Sequence, residues 1–302
     1  MEGRLRVGGV VAAIGLTIGL TGCAVGAPSA SADPDAARLH RQAQAALDRW
    51  AAAIAAASGR PGFVPVGELT GQIGDWEADV GDNDKTALMA GLVQADVALP
   101  AEAPPDGTLR WQDGTTVGVR VMSAQDALAD MRTEGGGASC PECVPLQVTG
   151  ARLTTGPVET TRGPATAPVW AFTLKDTKVE ATRVAIAAPV TVVPPPWDPN
   201  DAPVGISVES ASGTVGGRGL TVSFTGAPEP MDQPCGADYT AEAVESSSAV
   251  VVIVTPHPHA PGEACSAVGA PRTTTVELAA PLGERAVLEV KQGLPVQVLL
   301  AP

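Results

Sequence analysis

The sequence predicts an α+β protein in which an N-terminal α+β domain, 35–192, is followed by an all-β, sandwich-like domain, 204–302. Glycine and proline, 34 and 28 of the 302 residues, form about a fifth of the chain and favour many turns between short elements. Helical spacing of apolar residues is clearest near the N-terminus, whereas strand-length apolar runs fill the C-terminal third. Between the two lies 193–203, whose prolines cannot donate ladder hydrogen bonds, so we expect a stiff linker there.

The first predicted element is a helix over 34–58. Asp33 or Asp35 can cap its N-terminus, Pro34 suits the first turn, and the segment 59–61, which contains Gly and Pro, ends it. One face carries an apolar stripe formed by Leu39, Ala43, Ala46, Leu47, Trp50 and Ile54. Such a stripe indicates packing into a core rather than recognition of a ligand.

The rest of the N-terminal domain alternates between strand and helix signals. The segment 63–77 is strand-like, Asn83 or Asp84 can cap a helix that runs to about Ala95, and Asp113-Gly114 favours a hairpin turn. Ser123 begins a further helix to about Met131, because Ser-x-x-Asp resembles a capping box. Three further strands are predicted near 144–154, 167–174 and 179–187.

The C-terminal domain is predicted to contain strands alone. These strands lie at 220–225, 239–245, 249–255, 273–278, 286–290 and 296–300, with turn residues between them. The segment 249–254 is apolar at every position, so we expect a central strand that is covered on both faces.

The first 23 residues carry an export signal. Arg4 and Arg6 precede an apolar run, 7–20, which is shorter than the roughly 20 residues that a membrane-spanning helix needs. Leu20-Thr21-Gly22-Cys23 follows, and this motif resembles the lipobox of bacterial lipoproteins. An ordinary secretory signal that is cleaved after Ala32 is the alternative interpretation.

The lipobox resemblance implies a defined N-terminus. The signal peptide would be 1–22, and Cys23 would be diacylglycerated and become the first residue of the mature chain. Two acyl chains hold a protein stably on a membrane, and 23–34 is then a flexible tether. Beyond the lipobox, a high alanine content and an excess of arginine over lysine resemble the uncharacterised lipoproteins of high-GC Gram-positive (actinobacterial) bacteria, which imply no particular activity.

Four cysteines remain after Cys23, and an even number in an exported chain indicates two disulfides with three possible pairings. We expect Cys140–Cys143 and Cys235–Cys265, because the pairs lie in different halves of the chain. The second bridge would close the open end of a hairpin.

Two alternative roles for these cysteines stay open. Cys140-Pro-Glu-Cys143 could be a thiol-redox motif, although a loop and a strand, rather than a helix, are predicted after it. Cysteines could also join the weak metal candidates His257 and His259, although one His-x-His pair supplies too few ligands for a stable site. The acidic segment 79–84 lacks the ligand order of a calcium loop, and helix capping explains it better.

The charge of the chain excludes one class of partner. A formal charge of −14 repels nucleic acid and anionic lipid headgroups, so any membrane contact must come from the lipid on Cys23. We expect neither nucleic acid nor a cofactor to bind.

These observations predict a lipoprotein on the extracytoplasmic face of the cell membrane that acts without catalysis, by contact with a protein or another envelope component. One alternative is a lipoprotein that binds a small ligand or metal in a cleft between the domains, with Trp197 at its rim, and feeds a transporter. The other is a thiol-redox or hydrolytic envelope enzyme, although a Gly-x-Ser-x-Gly elbow is missing from the sequence.

Overall fold

A computed structural model describes residues 34–57, 63–76, 81–135 and 140–302. The predicted signal peptide, Cys23 and most of the tether lie outside the described residues. Within them the protein is rich in β-structure, with three helices and fourteen strands. The helices are α1 (Pro34–Ala56), α2 (Gly81–Met89) and α3 (Ala124–Glu134). The strands are β1 (Thr70–Ile73), β2 (Val93–Ala95), β3 (Gly107–Trp111), β4 (Thr116–Val119), β5 (Leu146–Thr160), β6 (Gly163–Leu174), β7 (Glu180–Val184), β8 (Val208–Thr214), β9 (Gly219–Gly226), β10 (Ala237–Glu245), β11 (Ala249–Pro258), β12 (Ala270–Glu277), β13 (Ala286–Glu289) and β14 (Gln297–Ala301).

The first seven strands form one sheet. Its main order is β1-β7-β6-β3-β4, while β5 pairs with β6 along a long antiparallel hairpin and β2 pairs with β5 in parallel. The hairpin turn is held by Thr160, whose hydroxyl donates to the Gly163 carbonyl and accepts from the Trp111 indole. β1 lies at the edge of this sheet and pairs only with β7 among the described strands.

Helices α2 and α3 cover one face of the seven-stranded sheet. Leu88 of α2 and Leu128 and Met131 of α3 join a buried cluster with Trp170 and Phe172 of β6. Ser123 caps the N-terminus of α3, as its sequence predicts: the Asp126 N–H donates to the Ser123 hydroxyl, and that hydroxyl donates to the Asp126 carboxylate. A second cluster of apolar side chains fills the opposite face of the sheet.

The last seven strands form two further sheets, β10-β11-β13 and β12-β9-β8-β14, which pack face to face. Strand β11 is central in its sheet and buried on both faces, as its apolar sequence predicts. Val250 and Val252 point into the core between the two sheets, whereas Val251 and Ile253 belong to the cluster on the other face.

Helix α1 packs on that other face of β11 and β13, although its position in the chain predicts a place in the domain 35–192. Leu47 and Trp50 of its predicted stripe lie in the cluster with Val251, Ile253 and Leu288. The apolar outer face of the sheet requires a cover, and the α1 stripe supplies it.

Polar contacts fix α1 to neighbouring loops. The Trp50 indole donates to the Ser248 carbonyl at 3.2 Å, and Arg38 pairs with Asp201 at 2.6 Å. Asp201 lies at the end of the proline-rich segment, so this segment is held against α1. Pro34–Pro302 groups as one compact unit, and a domain boundary at 193–203 therefore stays a prediction.

Most predicted elements are confirmed, and two differences have a local cause. The helix expected to reach Ala95 ends at Met89, because Gly91 adopts φ +67°, a left-handed conformation that terminates a helix. Strand β8 was not predicted, since its Ser- and Gly-rich sequence has little strand propensity. None of the helices within the described residues is both long and apolar enough to cross a membrane.

Candidate functional site

The cysteine pairs lie at disulfide distance in the predicted combinations. Cα atoms are 5.3 Å apart in Cys140–Cys143 and 5.6 Å apart in Cys235–Cys265. The first pair closes a turn in the irregular segment before β5, and no described helix begins there. This differs from a redox motif at a helix N-terminus. The second pair lies beyond the open end of the β10–β11 hairpin, whose strands pair from Ala237 and Pro258 to Glu245 and Val250.

The two histidines do not join the cysteines. His257 Nε2 lies 2.8 Å from the Thr240 hydroxyl, and His259 Nδ1–H donates to the Met231 carbonyl at 2.9 Å. Among the described residues, the potential metal ligands that come together are Cys235, Cys265 and Glu263, without either histidine. The sulfurs are engaged with each other, and the Glu263 carboxylate accepts from the Cys235 N–H. These residues therefore form a disulfide whose backbone is hydrogen-bonded to a neighbouring carboxylate, rather than a metal site.

A cavity of about 580 Å³ is the feature that suits a ligand. Its wall combines the edge strand β1 and the loop before it, one side of α2, the end of α3, and the segments 190–192 and 294–295. The apolar lining includes Leu69, Leu88, Met89, Met131, Val190 and Val192, together with Leu294. Charged side chains are few: Glu68 and Lys85 lie at the wall with Glu134.

Close approach of two glycines shapes one wall of this cavity. Gly135, at the end of α3, lies against the backbone of Ala90 and Gly91, which follow α2. A Cβ atom on Gly135 would overlap Gly91, and a Cβ on Gly91 would come within 2.6 Å of the Met131 carbonyl. The ends of α2 and α3 can therefore meet beside the cavity only because both positions lack a side chain.

Below this wall lies the most deeply buried charge of the described residues, Arg183 of β7, which is 1% exposed. Its guanidinium makes two hydrogen bonds to the Glu134 carboxylate and donates to the Thr70 hydroxyl at 3.3 Å. Asp130 lies 3.8 Å away, one turn before Glu134 on α3. The Nε atom of Arg183 is buried without a hydrogen-bond partner among the described residues. Arg183 thus joins β1, β7 and α3.

Burial raises the pKa of Asp130 above its ordinary value. Arg183 opposes this shift, while the carboxylates of Glu134 and Asp126 reinforce it. Asp130 and Glu134, on successive turns of α3, thus share one buried cation. Desolvation raises the pKa of Asp130 because it favours the neutral form of the acid.

The sequence predicts a cleft between two domains, and that expectation stays a prediction. The cavity is lined mainly by residues before 193, and Leu294 and Pro295 of the C-terminal region complete its wall. Trp197 was placed at its rim, but this side chain is 73% exposed and is not part of the wall. Glu134 and Arg183 were missed, since neither belongs to a motif and 49 positions separate them.

The chain matches no known family model, no curated protein and no solved structure.

Proposed function

We propose that the protein is a lipoprotein, anchored through Cys23 on the extracytoplasmic face of the cell membrane, that binds a small and largely apolar ligand in the cavity beside α2 and α3. The observation that carries this proposal is the cavity itself. Its volume of about 580 Å³ falls within the range typical of small-molecule sites, roughly 300–1,000 Å³. Its lining combines a mainly apolar wall with a few charged groups, which is the usual composition of such sites.

The side chains of the wall suit an elongated apolar group. Met89 is unbranched and exposed, so it can adapt its shape to a ligand, while Leu69 and Met131 are held in the core. Met89 is 58% exposed, so apolar surface faces solvent at this end of the cavity. Covering that surface with a ligand is favourable, at about 25 cal/mol per Å².

The proposed anchor and the proposed ligand fit each other. Apolar molecules concentrate in membranes, and a tether over 24–33 reaches at most roughly 35 Å from the lipid. The anchor would therefore keep the cavity close to the source of its ligand, while the charge of −14 keeps the folded part off anionic headgroups.

We also propose that 193–203 divides the folded part into an α+β domain and a sandwich-like β domain. This division is supported by the origin of the sheets, because strands β1–β7 precede the segment and β8–β14 follow it. Helix α1 is the exception, since it covers the second domain. Limited proteolysis tests the division: cleavage within 193–203 should give two protected fragments that stay associated under native conditions, because α1 belongs to the N-terminal fragment but packs on the C-terminal one.

The anchor is tested by metabolic labelling of the full chain with an alkyne-bearing palmitate. Wild-type protein should incorporate the label and sediment with membranes. Cys23→Ala should do neither, whereas Cys140→Ala should behave as wild type in this assay. Labelling of Cys23→Ala at the wild-type level would refute the anchor.

The cavity is tested with a long-chain alcohol that carries a photoreactive diazirine, added to vesicles of neutral phosphatidylcholine that hold the full lipidated chain. After irradiation, mass spectrometry of peptides should find the label on the segments that line the cavity. Met89→Trp fills the cavity from an exposed position and should reduce this labelling at least about fivefold. Met231→Trp is the matched control, since Met231 is 43% exposed and lies outside the cavity. Equal labelling of both variants would refute the proposal.

A second function, contact with a protein partner, is favoured by strand β14. This strand lies at the edge of its sheet and pairs only with β8 among the described strands. Leu299 is 52% exposed, and Leu300 and Val215 beside it are also exposed. The Val298 N–H of this strand donates to the Thr161 carbonyl, so the part of the edge that can accept a strand from another chain lies after Val298. Leu299→Lys should abolish crosslinking of a partner if this edge is the contact, whereas Val268→Lys, on an exposed loop, should not.

A further inference from the structure

The Arg183–Glu134 pair has a feature that folding alone does not require. Burying a charged pair costs desolvation energy, and an apolar pair of similar size often serves stability equally well. Here the arginine is buried, but its partner Glu134 is 47% exposed and lies in the cavity wall. The arrangement therefore holds a carboxylate in a fixed orientation at the cavity surface.

Resting on the ligand-binding function above, we propose that the cavity selects an amphiphile whose polar head donates a hydrogen bond and is neutral or cationic, with Glu134 as the acceptor. The apolar body of this ligand lies along Leu88, Met89 and Met131. An anionic head is rejected.

The acceptor capacity of Glu134 supports this inference. Each carboxylate oxygen can accept two hydrogen bonds, and Arg183 occupies one position on each oxygen. The two remaining positions belong to a side chain that Arg183 holds in place, so a ligand group that binds there loses little side-chain freedom. A hydroxyl or an ammonium group can donate to these positions, whereas a carboxylate cannot.

The charges around the cavity also disfavour an anionic head. Arg183 and Lys85 are positive, while Glu68, Asp130 and Glu134 are negative, so the formal sum is −1 when all are ionised. The whole chain adds a charge of −14. Among the described residues of the wall Lys85 is the one cation, and it is exposed on α2, where water screens it. An anionic head would thus meet net repulsion.

Three photoreactive probes with the same diazirine-bearing chain and a different head test the selection: an amine, an alcohol and a carboxylate. Each is added to phosphatidylcholine vesicles that hold the full lipidated protein at pH 8, and labelling of cavity peptides is measured relative to vesicle content. The amine and the alcohol should label the cavity at least about tenfold more than the carboxylate, as one charge-assisted hydrogen bond implies. Glu134→Gln should reduce this ratio severalfold, whereas Glu142→Gln, an exposed residue outside the cavity, should leave it unchanged.

Glu134→Gln removes the partner of a buried cation and can prevent folding, so a second pair of variants keeps the test decisive. Lys85→Gln removes the exposed cation of the wall and should raise the amine-to-carboxylate ratio by roughly two- to fivefold. Lys175→Gln, which is exposed and distant in sequence from the lining, should not change the ratio. Cavity labelling by the carboxylate probe that equals or exceeds that of the other two would overturn the inference while the ligand-binding function stands. Absence of cavity labelling by all three probes would overturn the function as well.

Discussion

The buried arginine leads to an asymmetric stability prediction for its ion pair. Glu134→Gln leaves the charge of Arg183 buried at 1% exposure, with Asp130 as its nearest carboxylate at 3.8 Å. Arg183→Met removes the buried charge and fills the same space with an apolar side chain. The two carboxylates that it leaves are 46% and 47% exposed, so water can solvate both. We therefore expect Glu134→Gln, which removes the exposed partner, to lower the free energy of unfolding more than Arg183→Met, which removes the buried one.

The magnitudes follow from burial. Removing one partner of a buried pair costs about 3–5 kcal/mol, and the remaining Asp130 reduces this for Glu134→Gln to about 3 kcal/mol. For Arg183→Met, gained apolar packing offsets the lost hydrogen bonds, and we expect about 1 kcal/mol. At an m-value of about 3 kcal/mol/M, the two urea midpoints should then fall by about 1 M and about 0.3 M.

Urea denaturation of the full chain, followed by tryptophan fluorescence and by circular dichroism, measures both values. Glu142→Gln serves as the control, since that residue is exposed and should leave the midpoint unchanged. The double variant Arg183→Met/Glu134→Gln should match Arg183→Met, because no buried charge remains to lose its partner. A larger loss for Arg183→Met than for Glu134→Gln would refute the reasoning.

Three further predictions concern the disulfides, pH and glycine. Replacing Cys235 and Cys265 by alanines should lower the free energy of unfolding by about 3–4 kcal/mol, because this bridge closes a long loop. Replacing Cys140 and Cys143 should cost about 2 kcal/mol, since their loop is short. Equal losses for the two pairs in thermal and urea melts would contradict this. Because its folded pKa is raised, Asp130 contributes stability below about pH 4 that is lost as pH rises through the folded pKa. Asp130→Asn should remove that loss in urea titrations between pH 4 and 7, and an unchanged pH profile would count against it. The Cβ atom of Gly91→Ala would collide with the Met131 carbonyl at a position of positive φ. This variant should therefore be less stable than Gly114→Ala, where φ is also positive but the space is open. Equal drops in the melting temperatures measured by calorimetry would disprove the packing argument.

Local patterns predicted the elements that depend on nearby residues. The cap at Ser123, the Asp113-Gly114 hairpin and the apolar strand β11 each follow from residues a few positions apart. Strand β8 carries no such signal, because it is specified by its pairing with β9 and β14 rather than by its own side chains. Neither does the sequence of α1 reveal that its partner sheet begins almost two hundred residues later.

The candidate site could not be predicted from local sequence patterns, because it too depends on contacts between distant segments. Its wall unites segments near 70, 88, 131, 191 and 294, and no spacing rule connects them. In the sequence, Arg183 is an ordinary charged residue of a strand. Its burial arises only when β7 lies beside Thr70 of β1 and below α3.

The position of α1 has a mechanical consequence. With the anchor proposed at Cys23, any pull between membrane and protein enters the fold at Pro34, the first residue of α1. This force runs along the helix and acts in shear on its side-chain contacts, among them Trp50 to the Ser248 carbonyl and Arg38 to Asp201. The load therefore passes first into the apolar cluster that α1 shares with β11 and β13. Val190 and Val192 of the cavity wall belong to the same cluster, so tension on the anchor reaches one side of the cavity, whereas the described strands β1–β7 lie outside that cluster.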